Sequence, residues 1–114
     1  MMIEVRVIKR RFAMAISRKE QDNVLRWNRQ RGWYEVYYLK WNDAASRTAY
    51  WIRYTMTAPL EKVGDPYCEL WGIFFDIEDP SKNFAVKNRF TVDKLSWDTD
   101  RFRVKIADAE LTQN

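Results

Sequence analysis

Between Gly32 and Trp41 the chain reads GWYEVYYLKW, ten residues that hold two tryptophans and three tyrosines. Aromatic and β-branched side chains favour strands, and a strand sends successive side chains to opposite faces. A half-buried strand should therefore be polar on one side, yet here rings stand at both odd and even positions. TAYWIRYTMTA repeats the pattern, with Tyr50, Ile52, Tyr54 and Met56 on one face and Trp51, Arg53 and Thr55 on the other. In ELWGIFFD, Trp71, Ile73 and Phe75 oppose Leu70, Gly72 and Phe74. Strands of this kind belong in a sheet that is covered on both sides. Two later segments alternate cleanly: Phe84, Val86 and Phe90 oppose Asn83, Lys87 and Arg89, and Phe102, Val104 and Ile106 oppose Arg101, Arg103 and Lys105. These need one covered face, and Phe84, Phe90, Phe102, Val104 and Ile106 are expected in the core.

Turn-forming residues punctuate the runs at Asn42-Asp43, Pro59, Val63-Gly64-Asp65-Pro66, Asp79-Pro80-Ser81 and Asp98-Thr99-Asp100. They bound five expected strands, at 33–41, 47–57, 67–76, 83–90 and 101–107,. Sequential strands with short links predict a mainly β fold, an antiparallel meander. Five strands fall short of a standard closed barrel, although small Greek-key barrels close in part with that number. A partial barrel over residues 32–114, preceded by a basic arm and helix over 1–31, is the expected organisation. Ser17 to Glu20 reads S-x-x-E, a capping box, and Val24, Leu25 and Trp27 would follow on one helix of about three turns closed by Gly32,. Ile3, Val5 and Val7 alternate with Glu4 and Arg6, which fits either a short strand or a basic arm. The second face of the aromatic strands then wants a cover: a helix, further chain, or a second copy paired through an exposed strand edge as a homodimer.

At 114 residues the length suits one modest core,. Charge is uneven: residues 1–31 carry nine bases against three acids, and the remainder eleven against thirteen. The single cysteine, Cys68, excludes an internal disulfide, and the lack of histidine excludes Ser-His-Asp and Cys-His centres and the usual zinc sites,. No P-loop, G-x-G-x-x-G, C-x-x-C or H-E-x-x-H is present,. No cofactor and no metal site are expected. No apolar run reaches the ~18 residues of a membrane span or forms a secretory signal, so a cytoplasmic protein is the default expectation.

Glu35 and Glu69 sit in apolar strands, where burial raises a carboxyl toward the general-acid range. Each has a structural alternative: exposure, or pairing with a base such as Arg53. Glu35 is the candidate catalytic residue if it shares a face with Trp33, Tyr37 and Leu39. Asp76, Glu78, Asp79, Asp93, Asp98 and Asp100 lack the spacing of a calcium loop and read as turn formers,. Trp33, Tyr37, Tyr50, Trp51, Tyr54 and Trp71 are the candidate ligand-binding residues, since rings with polar tips suit both pockets and cores. The alternative function is a nucleic-acid module using Lys9-Arg10-Arg11, Arg26, Arg29 and Arg31 with the sheet aromatics; against it, the body is net negative and an RNP1 pattern is absent.

The order GWYEVYYLKWND, TAYWIRYTMTAP, ELWGIFFD, NRFTVDKLSW and RFRVKIADAELT resembles the N-terminal part of a lipocalin-like family that includes the carotenoid hydratases, or hydroxyneurosporene synthases, also called AttH-like. The resemblance covers 26–112 and rests on the order and pattern of the aromatic segments. It implies a calycin-type β-barrel architecture and the binding of a hydrophobic small molecule of the lipid or isoprenoid class; hydratase activity is implied by the resemblance alone. Members of that family are much longer, which implies a minimal relative, a fragment or a truncated form. No catalytic residue carries over.

Overall fold

The structure, a computed structural model, describes residues 2–7 and 19–113, the first of these as backbone. Two antiparallel sheets hold the chain together. β1 (Met2–Val7), β2 (Trp33–Asp43), β3 (Thr48–Ala58), β4 (Tyr67–Asp76) and β5 (Phe84–Thr91) form a five-stranded sheet in that order. β6 (Leu95–Trp97), β7 (Arg103–Ile106) and β8 (Ala109–Thr112) form a three-stranded meander. The mainly β, antiparallel expectation holds. The described strands make two separate sheets, and no closed barrel forms among the described residues.

Register explains why both faces of the long strands carry rings. On one face, here the inner face, Glu35, Met56, Cys68 and Phe90 lie side by side, followed by Tyr37, Tyr54, Leu70 and Asn88. The three-stranded sheet packs over this end. Phe102, Val104, Ile106 and Leu111 meet Tyr37, Tyr54, Met56, Ala58 and Cys68 in one buried cluster, with the Tyr37 and Phe102 rings 5.5 Å apart. Removing this apolar area from water, at roughly 25 cal/mol per Å², is what joins the sheets.

Farther along the inner face the small sheet ends. There Trp41, Tyr50, Phe74 and Phe84 form a row of rings across four strands, with successive centroids 4.8, 5.3 and 5.4 Å apart. Gly72 sits beside this row, where a Cβ would stand 3.3 Å from Val86 Cγ2. Phe84 and Val86 are 57% and 59% exposed, which corrects the assignment of Phe84 to the core. Alternation gave its face correctly, but the covering sheet is too short to reach it. Phe90, nearer the small sheet, packs against the cluster.

The expected three-turn helix is a single turn, α1 (Lys19–Asn23). A longer helix would give the Arg26 N–H to the carbonyl four residues back. Instead that N–H points to the Glu35 carboxylate, at 2.8 and 3.1 Å to its two oxygens. Leu25 and Trp27, two apart and both buried, fit an extended strap rather than a helix face. Gly32 does adopt a positive φ, +70°, but as the end of this strap, and Arg29 does so at +61°. Of the capping box, Ser17 lies outside the described residues; Glu20 accepts from the Phe102 N–H at 3.3 Å and so ties α1 to the small sheet.

The expected strand at 101–107 contains a turn at its end. Ala107, at φ +51°, and Asp108 connect β7 to β8, with Ile106 opposite Ala109. No described helix is long and apolar enough to cross a membrane.

Candidate functional site

The outer face of the five-stranded sheet, opposite the small sheet, orders its side chains in cross-strand rungs. Ala49 and Phe75 lie on the first, and Lys40, Trp51, Ile73 and Ala85 on the second. The third holds Tyr38, Arg53, Trp71 and Lys87; the fourth Val36, Thr55, Glu69 and Arg89; the fifth Tyr34, Thr57, Tyr67 and Thr91. Each follows from period-two strands in matched register, so consecutive rungs stand about 7 Å apart.

Arg53 is the centre of this face. Its guanidinium carbon lies 5.1, 5.7 and 5.2 Å from the ring centroids of Tyr38, Trp51 and Trp71, which come from three adjacent strands. Rings attract a cation electrostatically through their π faces, by about 0.5–2 kcal/mol each according to solvation. Its Nη2 donates to the Tyr34 hydroxyl at 3.2 Å. The Tyr38 and Trp51 rings also contact each other at 5.2 Å.

One rung along, Glu69 has a different role. It is 7% exposed and accepts from Trp71 Nε1 at 3.0 Å and from Arg89 Nε at 2.8 Å, with Lys87 Nζ 3.7 Å away. Burial opposes its charge, but the hydrogen bonds from Arg89 and Trp71 and the charges of Arg89 and Lys87 outweigh it and hold the carboxyl below the ordinary range. Lys87 and Arg89 further cover the Trp71 and Tyr67 rings, at 4.9 and 3.9 Å. The Glu69 carboxylate thus pairs with both flanking bases, one charge against two, and Arg53 has no ion pair among the described residues.

Glu69→Gln should cost about 1–2 kcal/mol of stability at neutral pH, a modest figure because the Lys87 and Arg89 partners are half exposed and screened,. A carboxyl held below its unfolded value stabilises the fold above that value and loses the contribution as pH falls through the folded one. Denaturation of both forms should therefore show a gap that is full above about 4.5, the ordinary glutamate value, and closes at lower pH. A gap that persists in acid would assign the loss to packing instead.

Glu35 lies on the inner face and is 9% exposed. Beyond the Arg26 N–H, its oxygens accept from Trp33 Nε1 at 2.7 Å and from the Tyr37 hydroxyl at 3.4 Å. Every one of these donors belongs to the protein, so the carboxylate latches the 24–32 strap onto β2. Burial, and then the Glu35 charge, push the Tyr37 phenol far above its ordinary range. Cys68 is fully buried, and burial pushes its thiol up to about 11.

The six candidate ligand residues divide between the two faces. Trp33, Tyr37, Tyr50 and Tyr54 are on the inner face, where Tyr37 and Tyr54 are buried in the core and Tyr50 stands in the ring row. Trp51 and Trp71 are on the outer face and come together around Arg53. Tyr38 and Tyr34 were not among the candidates, although the alternation of GWYEVYYLKW places both on one side; only the register with Arg53 shows that they meet it.

Of the acidic residues expected in turns, Asp76 and Asp79 bond turn backbone, while Asp98 and Glu78 pair with arginines. Asp76 accepts from the Glu78 and Asp79 N–H groups, Asp79 caps the 3-10 turn Pro80–Lys82 through the Ser81 N–H, Asp93 pairs with the Thr91 hydroxyl, and Asp98 pairs with Arg101 and Arg103. Among the described residues no group of three or more acidic or cysteine side chains is placed to hold a metal ion. Of the basic residues set aside for nucleic acid, Lys9-Arg10-Arg11 lie outside the described residues. Arg29 and Arg31 are structural: Arg29 lies over the Trp27 and Trp97 rings at 5.4 Å each, and Arg31 donates to the Pro59 and Gly64 carbonyls at 3.0 and 2.7 Å. Two shallow depressions of about 430 Å³ flank β7, but charged residues such as Arg101, Arg103, Glu110, Lys94 and Asp108 line them.

The fold and this face define a two-sheet antiparallel β protein with an aromatic face built around one arginine. Comparison of the chain with protein-family models, with curated proteins and with solved structures found no match.

Proposed function

We propose that the outer face of the five-stranded sheet binds a hydrophobic small molecule of the lipid or isoprenoid class. The observation that carries this reading is the convergence of Tyr38, Trp51 and Trp71 from three strands onto one spot of a face that the small sheet does not cover. Rings present large, rigid apolar area at little entropic cost, and their polar tips orient what lies on them. Ile73, Phe75 and Ala85 extend the apolar surface beyond the rings, with Lys40 at its β2 side. An apolar ligand lying there gains roughly 25 cal/mol for each Å² removed from water.

Retinol, an uncharged polyene whose absorption overlaps tryptophan emission, tests the reading. Titrated into the folded protein it should quench tryptophan fluorescence to saturation, and Trp51→Ala with Trp71→Ala should weaken binding by about tenfold or more. Absence of quenching at saturating retinol would refute it.

A further inference from the structure

We infer that the molecule bound on this face is an amphiphile with a single carboxylate head, which Arg53 and Trp51 receive; the inference rests on the binding reading above. Two buried nitrogens among the described residues have no hydrogen-bond partner, Trp51 Nε1 and Arg53 Nε. They stand two residues apart on β3, hence on the same face, in the one cluster where three rings surround a cation. Buried donors are nearly always satisfied in folded proteins, so two unsatisfied ones on one face of a strand mark a place made for an acceptor. Both belong to groups that only donate, the indole N–H and the guanidinium, so the missing partner is an oxygen-bearing acceptor.

The charges around them say which acceptor. Four bases on this face, Lys40, Arg53, Lys87 and Arg89, stand against the single carboxylate of Glu69, which pairs with Lys87 and Arg89; Arg53, set among the rings, has no ion pair among the described residues. A guanidinium enclosed by three rings, with one N–H beside an indole N–H left to donate, fits one carboxylate,. The rungs also grade in polarity. From Arg53 toward one end come Trp51, Ile73, Ala85 and Phe75 on β3 to β5, with Lys40 at the β2 side, and toward the other come Thr55, Glu69 and Arg89. A head at Arg53 therefore leaves about 14 Å of apolar face on β3 to β5 for a tail, two rungs long. Side chains now cover the two nitrogens, so the head enters as the rings part around it, and tryptophan emission should report the event.

Retinol, retinoic acid and methyl retinoate carry the same polyene and differ in the head. The acid should bind about tenfold or more tighter than the ester and the alcohol, since hydrogen bonds to a charged group are the stronger class. Arg53→Met keeps the stem of the side chain and should abolish that preference, so that the variant binds the acid no tighter than the ester; far-UV dichroism verifies that the variant is folded. Equal affinity of the wild-type protein for acid and ester would overturn the carboxylate head and leave the hydrophobic-binding reading intact. Failure of all three to quench would overturn both. A single-stranded oligonucleotide that displaced retinoic acid, with an affinity falling steeply with salt, would replace the amphiphile by nucleic acid.

Discussion

Glu35→Ala should lower the free energy of unfolding by about 3 kcal/mol or more. Its two oxygens satisfy the Arg26 N–H, the Trp33 indole and the Tyr37 hydroxyl, and the carboxylate itself is buried. Each buried donor left without a partner costs about 1–3 kcal/mol, so the loss exceeds that of an ordinary hydrogen bond. It also frees the strap that carries Leu25 and Trp27 into the core. Denaturant unfolding followed by tryptophan emission measures it, and Glu35→Gln, which keeps one acceptor oxygen, should lose less. A loss under about 1 kcal/mol would mean that water replaces the carboxylate and that the strap needs no latch.

Ile106→Ala should cost about 2–5 kcal/mol, the range for truncating a fully buried large aliphatic side chain. Ile106 is 1% exposed at the centre of the contact between the sheets, pairs with Leu95 and Ala109 across the small sheet, and shares its cluster with Met56 and Cys68. The cavity it leaves cannot close without moving a whole strand. Because the Arg53 rings lie on the opposite side of the large sheet, the fraction that stays folded should still bind retinol with unchanged affinity. Unfolding curves and quenching on the same samples separate the two effects; a weakened affinity in the folded fraction would show that the two faces of the sheet are coupled.

Much of the large sheet was legible in the sequence because its information is local. The strands from Trp33 to Thr91 begin and end within about two residues of the turn signals, and the division of Tyr50, Ile52 and Tyr54 from Trp51 and Arg53 follows from alternation alone,. The small sheet was legible only in part. β6 has three residues and β8 four, too short to show a period against their turns, and the Ala107 turn has no glycine to mark it. The helix failed for a different reason. Its capping box and apolar positions fit helix rules, but the Glu35 carboxylate competes for the Arg26 N–H, and burying Leu25 and Trp27 stabilises the extended strap instead.

The site shows the same boundary. Trp51 and Trp71 were recognisable as rings suited to a ligand, and Arg53 as a base inside an apolar strand, but nothing local says that they touch. Tyr37, with the same composition around it, is core, while Tyr38 beside it faces the arginine.

By itself the sequence determined the strands of the large sheet from Trp33 to Thr91, the turns between them and which of their side chains share a face, because alternation is a property of each extended backbone. It also excluded histidine chemistry and a disulfide framework. Only the tertiary structure decided which face the small sheet covers, how far that cover reaches, and which rings meet Arg53. Those depend on pairing between strands far apart in the chain, where a shift of two residues would leave every side chain on its face and give it different neighbours.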